Sequence, residues 1–284
     1  MKPSAILLLS CPDRKGLVAA ISDFIFRHNG NILHADEHGD AESDLFLMRV
    51  EFDPAEFDIP LEEFTTHFSH IAEKFRMNWK LAHSDYRPKM AILVSKYDHC
   101  LADLLYRHKS GELACEIPLI ISNHADNQSL ADFYRIPFFV VPVMKHNKPE
   151  AEQKIQDLLT LNAPDFIVLA RYMQILSNDF VQRYPQRIIN IHHSFLPAFV
   201  GAKPYHQAFE RGVKLIGATS HYVTEVLDDG PIIEQDVVRI SHRDTLDDLL
   251  QKGRDLEKVV LSRAVRWHIE SRILLYGNKT VVFT

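Results

Sequence analysis

Short apolar runs alternate with helical segments through most of the chain, and this alternation restricts its fold more than any other feature. The apolar runs lie at residues 90–94, 119–121, 138–141, 166–169 and 188–191. Segments of helical character lie between them, near residues 99–108, 127–134, 149–161 and 177–183. Short, bounded apolar runs are typical of parallel strands that are buried on both faces. Their alternation with helices predicts a doubly wound, mostly parallel α/β sheet, whose ligands bind at the carboxyl ends of the strands.

The first 84 residues follow a different order of elements. Strands are expected at residues 4–10, 31–37, 45–52 and 78–82, with a turn at 38–40 between the second strand and the third. Apolar residues recur at helical spacing over residues 17–25 and 61–75. The resulting order, β-α-β-β-α-β, is that of the ferredoxin-like motif.

A polar segment at residues 82–88 separates the two patterns and is interpreted as a linker. We therefore predict one domain over residues 1–84 and a second over residues 85–284. Within the second, residues 245–275 are expected to form long helical structure, followed by a short strand at 280–283. A chain of 284 residues is long enough for two hydrophobic cores.

Asn190 and His192 lie two residues apart on the last apolar run, so a strand would place both side chains on one face. The run continues into Ser-Phe-Leu-Pro at residues 194–197, where the proline must end the strand. A later loop carries Asp228 beside Gly230 and can bring a carboxylate to the imidazole. An amide, an imidazole and a carboxylate together suit acyl-group chemistry, because one stabilises an oxyanion and the others move protons. Taken singly, each is more often a turn, cap or structural residue.

These residues resemble the site of the folate-dependent formyltransferase family, in which Asn-x-His precedes Ser-x-Leu-Pro and a Leu-Asp-x-Gly-Pro loop follows. The match runs through Asn190, His192, Ser194, Leu196, Pro197, Gly201, Leu227, Asp228, Gly230 and Pro231. It covers roughly residues 88–284, and residues 1–84 resemble a small amino-acid-binding module of the ACT type. That pairing, in that order, resembles the branch of the family that hydrolyses 10-formyltetrahydrofolate.

The resemblance also implies where the folate binds. The segment that walls the pterin pocket in the family corresponds here to Met173, Gln174, Ile175 and Leu176. Apolar side chains suit the slot of a flat ring, while main-chain groups can read its edges. Two residues of the later loop, Glu225 and Gly230, are expected to close the same pocket. The alternative is an ordinary strand-to-helix loop with a buried Met and Leu.

The loop after the first strand of the second domain, residues 95–100, bears on the acceptor of the formyl group. In the family member that formylates glycinamide ribonucleotide, a glycine-rich loop at this place cradles the phosphate. The residues here are Ser-Lys-Tyr-Asp-His-Cys, which contain no glycine. Side chains keep backbone amides away from a phosphate and Asp98 repels it, although Lys96 could still bind an anion. Water is then the natural acceptor.

The resemblance therefore implies hydrolysis of 10-formyltetrahydrofolate to formate and tetrahydrofolate, which supplies formate for purine synthesis and balances the one-carbon pool. Asp228 is expected to hold His192 and to position a water. Asn190 and protonated His192 are expected to stabilise the oxyanion. Which of His192 and Asp228 is the formal base stays open.

Two alternatives to hydrolysis remain. One is a formyltransferase with another amine acceptor, such as an amino sugar or an aminoacyl-tRNA, and the other is a catalytically silent amino-acid sensor. No organic cofactor is expected, because the folate is the substrate. No metal is expected either, since His192 and His193 face opposite ways on a strand and no third ligand follows at useful spacing.

Asp13, Arg14 and Gly16 precede the first helix of the N-terminal module and resemble the ligand corner of ACT modules. A helix N-terminus at this corner can receive a small carboxylate. The resemblance implies an amino-acid effector, glycine or methionine, and a homo-oligomer assembled through the module. The alternative is a module that serves only for assembly.

The composition excludes several classes of protein. Hydrophobic residues make up 46% of the chain and charged residues 25%, as is usual for a globular protein. The net charge of −6 gives no basic footprint for a nucleic-acid partner. Three cysteines without Cys-x-x-Cys spacing indicate reduced thiols and a cytoplasmic protein. No apolar run approaches the about 18 residues of a membrane helix, so no membrane partner is expected.

Overall fold

A computed structural model describes residues 3–198 and 204–284 of the chain. These residues form two compact units. The N-terminal unit comprises Met1–Tyr86, Glu270–Tyr276 and Thr280–Thr284, and the second unit comprises Arg87–Ile269 and Gly277–Lys279. The first boundary is close to the predicted one, but most residues after 269 belong to the first unit and not to the second. Gly201 of the sequence motif lies outside the described residues.

The N-terminal unit is a four-stranded antiparallel sheet with two helices. The strands are β1 (Ala5–Pro12), β2 (Asn31–Asp40), β3 (Leu45–Asp53) and β4 (Asn78–His83). The helices are α1 (Leu17–Arg27) and α2 (Phe64–Phe75), the second preceded by a 3-10 turn at Leu61–Glu63. The strand order is β2-β3-β1-β4, and every pairing is antiparallel. The predicted β-α-β-β-α-β order is confirmed.

The hairpin between β2 and β3 turns later than predicted. Residues 38–40 continue the strand, and the turn lies at residues 41–44. Asp40 stabilises the turn, since its Oδ1 accepts hydrogen bonds from the backbone N–H groups of Glu42 and Ser43. Asp44 takes a left-handed conformation with φ of 50°, which aspartate tolerates better than most residues.

The core of the N-terminal unit is rich in phenylalanine. Alternate residues of β1 face the two helices, and α1 and α2 meet them with aromatic side chains. The ring of Phe64 lies 5.5 Å from that of Phe24 and 5.3 Å from that of Phe68. Trp79 of β4 packs against the same cluster, 5.7 Å from Phe64. Aromatic packing of this kind adds to the burial of apolar area.

The second unit is built on a seven-stranded sheet. Its strands are β5 (Met90–Val94), β6 (Ile120–Ser122), β7 (Phe138–Val140), β8 (Phe166–Ala170), β9 (Ile188–His192), β10 (Leu215–Tyr222) and β11 (Ile232–Arg239). The order is β11-β10-β9-β8-β5-β6-β7. The five strands from β9 to β7 are parallel, as predicted from their apolar runs. β10 runs antiparallel to both of its neighbours. The predicted α/β fold is confirmed.

Strands β10 and β11 were not predicted from the sequence. β10 has the sequence Leu-Ile-Gly-Ala-Thr-Ser-His-Tyr, in which small and polar residues break any apolar run. Its polar side chains can be buried because they form hydrogen bonds with backbone carbonyl groups nearby. Thr219 Oγ1 donates to the carbonyl of Ser194, and Ser220 Oγ donates to the carbonyl of Asn190. Buried hydroxyls with such partners cost little, but no periodicity reveals them.

Helices cover the sheet of the second unit. They are α3 (His99–Lys109), α4 (Gln128–Tyr134), α5 (Lys148–Asn162), α6 (Asn178–Gln182), α7 (Pro204–Arg211) and α8 (Leu246–Ile269). The first four agree with the predicted segments, whereas α7 was not predicted. Ala151, Ile155 and Leu159 of α5 recur at helical spacing and pack on the sheet. Among the residues that the structure describes, no helix combines the length and the apolar character that crossing a bilayer requires.

The C-terminal segment differs from the predicted long helix. α8 ends at Ile269, and the chain then forms a hairpin of β12 (Ile273–Tyr276) and β13 (Lys279–Val282). Ser271 takes a left-handed φ of 51°, which ends the helical path. Apolar residues of the hairpin and the following Phe283 pack on β1 and β3 of the N-terminal unit. The strand predicted at residues 280–283 is confirmed.

We expect Phe64→Ala to lower the free energy of unfolding of the N-terminal unit by about 3–5 kcal/mol, because it opens a cavity in the aromatic cluster. Urea unfolding can be followed by Trp79 fluorescence in a Trp267→Phe background, since these are the two tryptophans of the chain. The matched control is Phe26→Ala, whose ring is 78% exposed and should matter little. Equal losses in the two variants would contradict this prediction.

Candidate active site

Strand β9 presents two polar side chains at the carboxyl end of the parallel sheet. Asn190 and His192 alternate with buried Ile191, so both point to the same face. Their positions are fixed on both sides, because β8 pairs with β9 in parallel register and β10 pairs with it antiparallel. Asn190 and His192 are therefore held by an inner strand of the sheet.

A histidine of β10 stands directly opposite Asn190. His221 is the cross-strand partner of Asn190, and its Nε2 lies 3.1 Å from Asn190 Nδ2. The pairing of β10 with β11 shifts register between Ser220 and His221, and a bulge of this kind re-aims a side chain. His221 was not predicted as a site residue.

The hydrogen bonds of His221 define its tautomer. Its Nδ1 lies 3.0 Å from the carbonyl oxygen of Tyr222, which can only accept, so Nδ1 carries the proton. Burial lowers the pKa of His221, although the bond to Tyr222 opposes the shift. The ring is therefore neutral, and Nε2 accepts a hydrogen bond from the amide of Asn190. This bond orients Asn190 so that its second amide hydrogen remains for another acceptor.

Asp228 approaches His192 from the loop that follows β10. Its Oδ2 lies 3.3 Å from Nδ1 of His192, and its Oδ1 lies 3.8 Å from Nε2 of His221. The hydrogen bond from His192 lowers the pKa of Asp228 below its usual value, against the effect of burial. Asp228 itself takes a left-handed conformation with φ of 56°. Aspartate tolerates this conformation better than most residues, as it also does at Asp44.

Close backbone contact keeps this loop in place. A Cβ at Gly230 would lie 1.7 Å from the carbonyl oxygen of Tyr222, so only glycine fits. Asn278 Nδ2 donates to the carbonyl of Asp229 at 2.8 Å, and Gln182 Nε2 donates to Glu225 Oε1 at 2.8 Å. The absence of a side chain at Gly230 thus allows the loop to pack against the backbone of β10.

The outer nitrogen of His192 has no partner among the described residues. His192 is 5% exposed, and its Nε2 is buried without a hydrogen bond. With Nδ1 turned to the carboxylate of Asp228, Nε2 is the atom that can take or give a proton. Burial of a polar atom without a hydrogen-bond partner costs free energy. We therefore interpret Nε2 as an atom that forms a hydrogen bond with a bound ligand.

These side chains border a cavity of about 570 Å³. Asn190, His192, His221 and Asp228 line it, and so do Met173, Gln174, Ile175, Leu176 and Glu225. Met173 and Ile175 are 51% and 61% exposed, so the wall predicted for a flat ring has apolar surface free to receive one. Gly230, expected in the same wall, is buried behind the loop and does not line the cavity.

A second polar cluster lines the same cavity and was not predicted as part of the site. Glu257 of α8 is 1% exposed and accepts hydrogen bonds from His99 Nε2 at 2.7 Å and from Tyr205 Oη at 2.8 Å. Arg171 Nε lies 3.3 Å from the same carboxylate. Burial would raise the pKa of Glu257, but the bond from His99 and the charge of Arg171 hold it below its usual value. The carboxylate is therefore ionised.

Potential metal ligands also meet in this cluster. His99, Cys100 and Glu257 bring one ligand atom each within 4.8 Å of one another. Burial and the Glu257 carboxylate raise the pKa of the Cys100 thiol well above its usual value, so it stays protonated. A thiol binds metals as the thiolate, and the Arg171 guanidinium beside Glu257 repels a cation. The three residues are therefore a poor metal site.

The remaining predicted ligand residues lie in the N-terminal unit. Asp13, Arg14 and Gly16 are exposed and precede α1. Gly16 has φ of 92°, and no side chain caps the helix there, so its first N–H groups are available. The guanidinium of Arg14 lies 5.1 Å from the ring centre of Phe75. The local geometry suits a small carboxylate.

Known proteins resemble this chain along its whole length. The sequence pattern of the formyl transferase family matches residues 88–265. A formyltetrahydrofolate deformylase of Synechocystis sp. is 57% identical over 280 residues, which is 99% of this chain and 98% of that protein. The crystal structure of a formyltetrahydrofolate deformylase from Pseudomonas syringae pv. tomato superposes with a TM-score of 0.98 and 49% identity, covering 100% of this chain and 95% of that chain.

A smaller relative shares only part of the chain. The crystal structure of glycinamide ribonucleotide transformylase 1 from Symbiobacterium toebii superposes with a TM-score of 0.66 and 27% identity. It covers 70% of this chain and 95% of that chain.

We expect the free energy of unfolding of the second unit to fall as the pH is lowered from 7 to 5. Burial, together with the charge of Arg171, lowers the pKa of His193 to about 3. The unfolded imidazole titrates near its ordinary value of about 6.5. Below that pH the unfolded state binds more protons than the folded state, so acidification favours unfolding.

Urea unfolding at several pH values, followed by Trp267 fluorescence in a Trp79→Phe background, measures this fall. His193→Gln removes the titrating group and should reduce the pH dependence. The exposed His146 provides the matched control, because His146→Gln leaves the buried group in place. A pH dependence that is the same in His193→Gln as in the natural sequence would contradict the assignment.

Proposed function

Because the chain belongs to the formyl transferase family, and within it to the formyltetrahydrofolate deformylases, we propose that it hydrolyses 10-formyltetrahydrofolate to formate and tetrahydrofolate. The reaction releases formate, which can supply purine synthesis, and returns the folate to the one-carbon pool. One observation carries the proposal for the site. The unpartnered Nε2 of His192 lies beside the Asn190 amide and the Asp228 carboxylate, in a cavity with an apolar wall.

The folate is proposed to bind with its flat ring against Met173, Ile175 and Leu176. These residues follow β8 at the carboxyl end of the sheet, where doubly wound folds bind ligands. Gln174 and Glu225 provide polar groups in the same wall. This pose directs the formyl group on N10 toward Asn190 and His192.

The first chemical step is the addition of water to the formyl carbon. Asp228 is held ionised by its hydrogen bond to His192, so it and the imidazole together can accept the proton of the attacking water. The formyl oxygen becomes an oxyanion. The free amide hydrogen of Asn190 and the proton on His192 Nε2 then stabilise that charge.

The second step breaks the bond between the formyl carbon and N10. The electron pair of this bond goes to N10, which takes up a proton relayed from His192. The remaining fragment is formic acid, which ionises to formate. The balance is one water consumed, with formate, a proton and tetrahydrofolate released. These residues supply every group that the two steps use, so we propose that neither an organic cofactor nor a metal takes part.

The segment at residues 95–100 favours water over a phosphorylated amine as the acceptor. Ser95 Oγ donates to Asn123 Oδ1 at 2.7 Å and accepts from the backbone N–H of Met173 at 2.9 Å. Tyr97 lies between two guanidinium groups, with Arg171 at 5.5 Å and Arg254 at 5.8 Å from its ring centre. The side chains of Ser95 and Tyr97 thus occupy a segment where a phosphate cradle would need glycines.

The N-terminal unit is proposed to bind an amino-acid effector, glycine or methionine, at Asp13, Arg14 and Gly16. It is also proposed to assemble the chain into homo-oligomers. β2 is an edge strand of its sheet, and Leu33 on it is 45% exposed. An exposed edge strand with an apolar side chain is a template for pairing with another chain. We propose a cytoplasmic location, which suits the three buried, unpaired cysteines.

Incubation with 10-formyltetrahydrofolate and no acceptor should release formate and tetrahydrofolate in equal amounts. Addition of glycinamide ribonucleotide at saturating level should change neither the rate nor the products, and a chelator should leave the rate unchanged. Formylated ribonucleotide at comparable yield would instead identify a transferase. The absence of both products would leave the silent sensor.

We expect Asn190→Ala to lower kcat by about 10²–10³-fold with little change in KM, because one oxyanion donor is lost. Steady-state kinetics with 10-formyltetrahydrofolate measure both constants. Gln174→Ala is the contrasting variant, since a residue of the ring wall should affect KM more than kcat. A change confined to KM in Asn190→Ala would mean that Asn190 only binds the substrate.

We expect glycine or methionine to change the deformylation rate of the natural sequence and to lose this effect in Arg14→Ala. The neighbouring exposed Lys15 provides the control, and Lys15→Ala should keep the response. Initial rates over a series of effector concentrations make the comparison. If no amino acid changes the rate, the effector site is rejected and assembly remains as the role of the N-terminal unit.

A further inference from the structure

Arg171 is held in an unfavourable conformation at the carboxyl end of β8. It takes a left-handed backbone conformation with φ of 62°, which is uncommon for residues other than glycine, asparagine and aspartate. Its charged side chain is also largely withdrawn from water, since the residue is 9% exposed. Both features are costly, and neither is needed to continue the sheet. A residue kept under these two penalties has a use for its position.

The carboxylate of Glu257 lies beside the guanidinium of Arg171 and forms an ion pair with it. The carboxylate meets Arg171 at Nε, and it is itself held by His99 and Tyr205. Arg171 directly follows β8, and the other three residues come from α3, α7 and α8. The arrangement gives the buried guanidinium of Arg171 an opposite charge as a neighbour, which offsets part of the cost of its burial.

The ring of Tyr205 packs directly against Gly253 of α8. A Cβ at Gly253 would lie 2.2 Å from Cζ and 2.4 Å from the hydroxyl oxygen of Tyr205. Glycine within a helix costs about 1 kcal/mol relative to alanine. α8 therefore has a residue of low helix propensity at position 253. The absence of a side chain there leaves room for the Tyr205 ring, whose hydroxyl donates to Glu257.

The guanidinium of Arg171 has unused hydrogen-bond donors beside the cavity. Its Nε lies 3.3 Å from the Glu257 carboxylate as an ion pair but is buried without a hydrogen bond, and no acceptor in residues 3–198 or 204–284 forms a hydrogen bond with the two terminal nitrogens. Arg171 lines the cavity, together with Tyr97 and the exposed Arg254. The rings of Tyr205, His193 and His192 follow one another at 6.0 and 5.2 Å, which places the cluster next to the reacting groups.

We propose that the free edge of Arg171 is the binding site for the carboxylate of formate, the second product of the reaction. This inference rests on the proposed deformylation. A guanidinium presents parallel N–H donors that match the two oxygens of a carboxylate, and such bidentate pairs are strong. Asp228 and Glu225, on the loop after β10, repel the anion, whereas Arg171 attracts it.

Arg254 extends the same path toward solvent. Its guanidinium lies over the ring of Tyr97, as that of Arg171 does, and the residue is exposed. A formate ion that leaves Arg171 therefore meets a second cation before it reaches bulk water.

The test uses ¹³C-formate as the probe and the full-length chain, with binding followed by NMR line broadening. Formate should bind the natural sequence, both alone and with saturating tetrahydrofolate present. Arg171→Lys keeps a charge for Glu257 but loses the paired donors, and it should weaken formate binding about 10–100-fold. The matched control on α8 is Arg263→Lys, which pairs with Asp236 and does not line the cavity, so it should bind formate like the natural sequence.

Arg254→Ala gives a second test that does not disturb the buried cluster, with an expected loss of about two- to fivefold. Equal formate affinity in the natural sequence, Arg171→Lys and Arg254→Ala would overturn the proposal. Loss of formate binding when tetrahydrofolate is added would also overturn it, because the folate itself would then occupy Arg171. Binding of inorganic phosphate more tightly than formate would overturn it in favour of a phosphate site.

The rate of deformylation is measured separately on the same preparations. Deformylation without formate binding would reject the formate site and leave the proposed function intact. Formate binding without deformylation would reject the proposed function, on which the assignment of formate as a product depends.

Discussion

The pairing of β9 with β10 is the constraint on which the site depends. It sets His221 opposite Asn190, and the neutral ring of His221 orients the amide of Asn190. The same strand leads into the loop that carries Asp228 to His192. A slip of one residue in this pairing would turn every side chain of β10 to the other face. The register is held by buried hydroxyls of β10 that bond to the backbone of its neighbours.

Buried charge organises the rest of the cavity. Glu257 is buried and Asp228 half-buried, and a hydrogen bond from a histidine lowers the pKa of each carboxylate. Unpaired buried charge would be costly, so the donors on β9 and α3 are as necessary as the carboxylates themselves. The two carboxylates differ in what lies beside them. Asp228 faces the open nitrogen of His192, whereas Glu257 is enclosed by three donors and holds Arg171 in place.

Much of the fold follows from local patterns. The apolar runs predicted the five parallel strands and the helices between them, because strands buried on both faces must be apolar. β10 and β11 escaped this reasoning, since their polar residues are satisfied by partners distant in sequence. The first strand of the C-terminal hairpin was missed as well. Residues 273–275 were assigned to a helix, whereas the strand at 280–283 was predicted, and it is packing on the apolar face of β1 and β3 that favours a strand at 273–276.

The sequence by itself determined that Asn190 and His192 share a face, because the side chains of a strand alternate. It also determined, through Gly230 and the motif around it, that a loop with Asp228 could accompany them. Only the tertiary structure decided that His221 stands across from Asn190 and that Arg171, His99 and Tyr205 gather around Glu257. These contacts join residues separated by 31 to 158 positions. No local periodicity carries such information, because it arises from strand order and helix packing.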